Sequence, residues 1–268
     1  MRERLRDWLL PEPPADIRYV DEPDRRGVRL EVLIVFAITL GLAGVNSLIS
    51  LVDSALRPVP LNKQHVAINV PLARNGFLDL LAQLAHVVQL AAWGALGVYL
   101  LWRAGVKLAD IGLRRYAAGD PVGAVGLAAL IGIPGLGLYF AARALGASLT
   151  VLPTALTDTW WRIPVLVLAA AANAWAEETL VVAYLITRLR QLGWRENWSV
   201  VAAALLRGSY HLYQGPGLAI GNVAMGLVFG RIWQRTNRLW VLITAHTLLD
   251  IASFVGYALL ASHLSILR

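Results

Sequence analysis

Cysteine is absent from all 268 residues, which excludes disulfides, thiolate zinc centres and a cysteine nucleophile. Charge is scarce as well: Asp, Glu, Lys and Arg supply 15% of the chain, where an ordinary soluble domain carries about a quarter. No small-residue cleavage pattern follows the first long apolar run, which begins near Val32, so no signal peptide is expected and the mature chain should keep its N-terminus. Repeats and low-complexity tracts are missing too. Three motifs of membrane hydrolases are also lacking. None of the five histidines forms an HExxH helix, and the nearest approach to a Gly-x-Gly-Asp loop is Ala118-Gly119-Asp120. The stretch Gly146-Ala147-Ser148-Leu149 lacks the final glycine of a Gly-x-Ser-Gly loop.

What remains is apolar. Hydrophobic residues make up 57% of the chain and mean hydropathy is +0.59, the composition of a multi-pass membrane protein. Several runs reach the roughly 20 residues a helix needs to cross about 30 Å of hydrocarbon. They do not alternate, so helices and not a barrel are expected. The predicted fold is an all-α polytopic transmembrane bundle of about seven spans, with the site in the last four. The spans fall at about 32–51, 80–102, 121–140, 163–187, 199–213, 216–233 and 239–260. Residues 1–31 read as a solvated cytoplasmic tail with a short amphipathic start at 2–10, residues 32–162 as N-terminal transmembrane helices, and 163–268 as the catalytic core.

The distribution of positive charge orients this scheme. Seventeen Lys and Arg fall on one side and six on the other, with Arg207 inside the membrane. The positive-inside rule then predicts a cell-membrane protein with its N-terminus in the cytoplasm. Because the basic residues are spread over four segments, the net charge of +7 is a mark of topology and no nucleic-acid partner is expected. Trp102, Trp160, Trp161, Trp194, Trp198, Trp233 and Trp240 sit near span ends, as an interfacial belt would place them. The pairs Gly217/Gly221 and Gly226/Gly230 predict close helix packing.

Against this background a few polar residues stand out. A carboxylate at the bilayer centre costs about 2.5 to 3.5 kcal/mol on insertion scales, so Glu177, Glu178, Arg207 and Asp250 need partners or a wet cavity. His211, His246 and Asp250 lie at depths matching that of Glu177, all roughly 10 to 18 Å from the cytoplasmic interface at 1.5 Å per residue. The pairs His246/Asp250, Arg207/His211 and Asn173/Glu177 are each four apart and should share a helix face. Glu177 and Glu178, about 100° apart around a helix, cannot serve one identical role. His86 reads as a helix-bridging hydrogen bonder, Gln89 and Asn222 as interhelical contacts, and His65 and His263 as exposed or interfacial residues.

Glu beside His can hold and deprotonate a water while a second His stabilises the developing oxyanion. The same atoms can instead ligate a divalent metal such as zinc that acidifies the water. Both schemes are open on the residues alone.

In order, Glu177-Glu178 followed by Ala183-Tyr184-Leu185, then His211, then His246-Thr247-Leu248-Leu249-Asp250, with 226–250 as a closing hairpin, resemble the CPBP intramembrane proteases. This is the CAAX-protease and bacteriocin-processing group, also called the Abi family. The resemblance spans about residues 163–255. It implies that Glu177 and His211 activate water while His246 and Asp250 position and stabilise the scissile carbonyl. The family pattern has an arginine where this chain has Val182, and an aromatic where it has Arg207. The expectation is therefore that the charge has moved, with Arg207 pairing Glu178 from the neighbouring helix. An arginine restored at 182 should then replace it.

The resulting reading is an intramembrane endopeptidase acting on a membrane-associated protein or peptide, embedded in membrane lipid. Its rivals are an inactive scaffold or bacteriocin self-immunity protein of the same fold, and a proton-coupled carrier. The carrier would show inverted repeats with broken helices, and none is visible.

Overall fold

The computed structural model describes residues 17–113 and 116–260. The amphipathic start at 2–10 and His263 lie outside the described residues. Helix α1 (Glu22–Ala37) opens with Pro in its first turn and acidic Glu22 and Asp24 beside it, the arrangement that suits a helix N-terminus. It continues into α2 (Leu40–Leu56) across a 51° bend. No proline causes this bend. Thr39 Oγ1 donates to the Val35 carbonyl at 2.7 Å, a back-bond that competes with the helical ladder.

A short strand β1 (His65–Asn69) leads into the long helix α3 (Gly76–Arg103), capped by Asn75, whose side chain accepts from the amides of Phe77 and Leu78. Helix α4 (Asp120–Ala144) returns to strand β2 (Thr150–Thr154), which pairs in parallel with β1 from His65↔Thr150 to Asn69↔Thr154. This two-stranded sheet is an addition to the all-α expectation. It joins the α2–α3 and α4–α5 connections at one end of the bundle.

Helix α5 (Arg162–Glu177) runs without a gap through a π-helical segment (Glu178–Tyr184) into α6 (Leu185–Gln191). Helix α7 (Glu196–Ser209), a 3₁₀ turn (Leu212–Gln214), α8 (Pro216–Thr236) and α9 (Leu239–Leu260) complete the described fold. The all-α polytopic architecture is as predicted. By length and apolarity, however, four helices among the described residues can span a membrane: α3, α4, the continuous α5–α6 rod and α9. The bent α1–α2 pair would make a fifth. The difference from seven lies in the α7–α8 hairpin. At 14 residues α7 is about 21 Å long, short of the hydrocarbon thickness.

The α5–α6 rod is the central element. Its apolar stretch is 67% buried, against 22% for α3 and 11% for α4, and α3, α7, α8 and α9 all touch it or its π segment. Close approach depends on small residues. A Cβ on Gly94 of α3 would lie 2.7 Å from the Thr179 hydroxyl, and one on Gly226 of α8 would lie 2.8 Å from Ala204 Cα. Gly230 meets Val200 of α7, while Gly217 and Gly221 meet Ala142 and Leu138 of α4, so both glycine pairs serve packing.

Several other expectations change. Trp102, Trp160, Trp194 and Trp198 are exposed, as belt residues should be, but Trp161 and Trp233 are buried. Trp233 donates from Nε1 to the Ile111 carbonyl at 3.0 Å and lies under the Arg190 guanidinium. His86 and Gln89 are exposed on α3 and hydrogen-bond to no other helix among the described residues. Asn222 bonds within its own helix, to the Leu218 carbonyl. The described part of the N-terminal tail is held in place. Val20 N–H donates to the Gln191 carbonyl, and Glu31 reaches the far end of the π segment.

Candidate active site

The two adjacent carboxylates sit where the helix changes type. Glu177 is the last residue of α5 and Glu178 the first of the π segment. Thr179 Oγ1 donates back to the Trp175 carbonyl at 2.6 Å and to that of Ala176 at 3.3 Å. These bonds occupy acceptors of the preceding turn just where the ladder widens. Single-turn π segments are rare and favour functional sites. All seven residues of this one are buried, and Val182 packs into the apolar core at 1% exposure.

From α7, Arg207 reaches both carboxylates. Its Nη2 lies 2.7 Å from Glu178 Oε1 and its Nη1 lies 3.2 Å from Glu177 Oε2, with the guanidinium completely buried. The Phe229 ring of α8 lies 5.8 Å from its Cζ, a cation–π contact. The relocated pairing of Arg207 with Glu178 is therefore present, and Glu177 shares it.

His246 of α9 completes the second carboxylate's environment. Its Nδ1 lies 2.7 Å from Glu178 Oε1, and its ring stands edge-on to Phe229. With Nδ1–H directed at Glu178, the other nitrogen is left facing Asp250 Oδ1 at 3.7 Å, beyond hydrogen-bond reach. Asp250 is held from its other oxygen by Asn173 Nδ2 at 3.0 Å. Asn173 sits one helical turn before Glu177, so α5 supports both ends of the cluster.

His211 departs from expectation in its setting. Helix α7 stops at Ser209, and His211 lies in the turn before the 3₁₀ segment, not on a helix face shared with Arg207. Its one side-chain hydrogen bond among the described residues is a 3.5 Å contact between Nδ1 and Gln214. It lies within electrostatic reach of Glu177 and His246 but bonds to neither.

The residue that the sequence did not flag is Tyr210. Its hydroxyl donates to Glu177 Oε2 at 2.7 Å, and its ring tilts against His211 with centroids 4.9 Å apart. A tyrosine three residues after an intramembrane arginine and next to a candidate histidine was the available signal. Within the site, the enclosed atoms Glu178 Oε2 and Arg207 Nε take no hydrogen-bond partner among the described residues.

The donor set does not fit a bound metal. No three His, Asp or Glu side chains among the described residues converge on a common point. Glu177 Oε2 and Glu178 Oε1 both face Arg207, and His246 Nδ1 faces Glu178. A cavity of about 490 Å³ lies elsewhere, at the α6 end of the rod between Arg18, Lys107, Thr187, Arg190 and Trp233.

Buried Glu177, Glu178, Arg207 and His246, with partly buried Asp250 and His211 beside them, form a polar centre inside an apolar bundle. Residues 159–252 match the family model described as Type II CAAX prenyl endopeptidase Rce1-like. This bears out the resemblance to the CPBP, or CAAX-protease, family over the segment that carries the motifs. The family supports an intramembrane endopeptidase as the general class. No curated protein and no solved structure matches the chain.

Proposed function

We propose that this multi-pass protein is an intramembrane endopeptidase that cleaves a membrane-associated protein or peptide with a water activated by Glu177 and His211, without a metal. The observation that carries the reading is the division between the two oxygens of Glu177. Oε2 is occupied by Arg207 and Tyr210, while Oε1 takes no hydrogen bond from the described residues and is not among the enclosed atoms. A carboxylate with one anchored and one open oxygen can accept a proton from water within hydrogen-bond reach.

In this scheme Glu177 Oε1 takes the proton, the hydroxide oxygen bonds to the scissile carbonyl carbon, and the carbonyl electron pair moves to its oxygen. His211, held only loosely by Gln214, orients the water. Glu177 and Glu178 together exceed the single charge of Arg207, and a buried charge requires a counter-charge. His246 as an imidazolium supplies it, with Nδ1–H on Glu178 and Nε2–H directed at the oxyanion. Asp250, fixed by Asn173, places its negative charge 3.7 Å from Nε2 and favours the imidazolium. Collapse breaks the C–N bond as the proton on Glu177 passes to the leaving amine, and a carboxylic acid and an amine are released.

The seventeen Lys and Arg on one side against six on the other support insertion in the cell membrane with the N-terminus in the cytoplasm. The deciding experiment is cleavage of membrane-associated peptides by purified wild type and Glu177→Ala. Turnover by the wild type alone is expected. Equal turnover in both would remove the assignment.

A further inference from the structure

In an unbroken helix successive side chains diverge by about 100°. Helix α7 ends at Ser209, and this lets Tyr210 and His211 gather on the Glu177 side with their rings in contact. The Tyr210 ring is 6% exposed and its hydroxyl makes the shortest contact to Glu177 in the site, 2.7 Å against 3.2 Å from Arg207. Both donors meet the same oxygen. Arg207 is also committed to Glu178, and one long contact leaves a carboxylate free to turn about its terminal torsion, which has a broad minimum. A second donor on the same oxygen, from a different direction, fixes that torsion.

We propose that Tyr210 is a positioning residue of the hydrolytic site: together with Arg207 it locks Glu177 so that Oε1 alone faces the water that is split. This inference rests on the hydrolase reading. The hydroxyl contributes no atom to the products. It acts through Glu177, and its loss should slow the chemical step and leave substrate binding intact.

Tyr210→Phe keeps the ring and its contact with His211 while removing the O–H. The expected result is a fall in kcat of about 10- to 100-fold, the range that a small misplacement of a reacting group produces. KM should be unchanged and the protein should fold and insert normally. A thermal double-mutant cycle with Glu177→Ala should be non-additive, because the hydroxyl has no acceptor once the carboxylate is gone. Additive shifts in that cycle would overturn the proposal, as would a rise in KM with kcat preserved. Tyr210→Phe cleaving at the wild-type rate while Glu177→Ala is inactive overturns this proposal alone. Glu177→Ala cleaving as fast as wild type removes the hydrolase reading and this proposal with it.

Discussion

Arg207 Nη2 and Glu178 Oε1 stand 2.7 Å apart across the interface between α7 and the π segment, and neither side chain has any exposed surface. The arginine balances a carboxylate that its own helix leaves unpaired. Removing one partner of such a pair strands the other in low dielectric and costs roughly 3 to 5 kcal/mol. Arg207→Leu strands two carboxylates, so thermal unfolding in detergent should show a loss at the upper end of that range.

Val182→Arg should not rescue Arg207→Leu, contrary to what the family pattern suggests. Val182 is 1% exposed and surrounded by the apolar core, and overpacking such a position costs about 1 to 3 kcal/mol. The double variant should therefore unfold at or below the temperature of Arg207→Leu. A rise toward wild type would show that the π segment can open to admit the longer side chain.

The two histidines should separate stability from turnover. His211→Ala loses a 3.5 Å hydrogen bond and the ring contact with Tyr210 but strands no buried charge, so its unfolding should stay close to wild type while cleavage falls by about 10²- to 10⁴-fold. His246→Ala removes a partner of Glu178, whose other oxygen already has none. It should lose activity and also about 1 to 3 kcal/mol of stability. Comparable melting of both variants would contradict the assignment of His246 as a support for Glu178.

Metal removal offers an independent check on the chemistry. With no three ligating side chains convergent among the described residues, dialysis against a chelator should leave turnover unchanged. Elemental analysis should find no stoichiometric divalent ion. Activity lost to the chelator and restored by zinc would require a different arrangement of the carboxylates.

Membrane orientation can be read by cysteine labelling, since the native chain has none. Leu108 and Leu145 are both exposed and lie on connections at opposite ends of the bundle. In intact cells an impermeant reagent should label Leu145→Cys and spare Leu108→Cys. The reverse pattern would invert the topology.

Much of the site was legible because buried charge is costly and therefore rare in an apolar sequence. Glu177, Glu178, Arg207 and Asp250 stand out as charges inside predicted spans, and matched depth places His211, His246 and Asp250 in one layer with Glu177. What helical periodicity could not supply were the places where periodicity ends. His211 was put on a helix that stops two residues earlier, and with that stop Tyr210 was overlooked. The 51° bend at Thr39 and the widened turn after Glu177 each carry a hydroxyl back-bond, and neither leaves a hydropathy signal. Trp161 and Trp233 were assigned to the membrane boundary because sequence position near a span end does not distinguish an outward ring from an inward one.

Tyr184, the last residue of the π segment, and Arg188 of α6 both donate to Glu31 of α1, from Oη at 2.8 Å and from Nη2 at 2.6 Å. The phase of everything after Glu178 thus depends on a widened turn that accommodates more residues than an α-helical one. Reversion of the ladder to α geometry at constant length would turn α6 by about 100° and carry Arg188 away from Glu31 although every motif residue remained in the chain. Deleting a single residue between 179 and 183 takes up the extra residue of the widened turn, so the shortened chain in α form keeps α6 in phase. The segment works as a store of one residue: it lets the chain carry an additional position after the carboxylates without uncoupling the N-terminal helix from them.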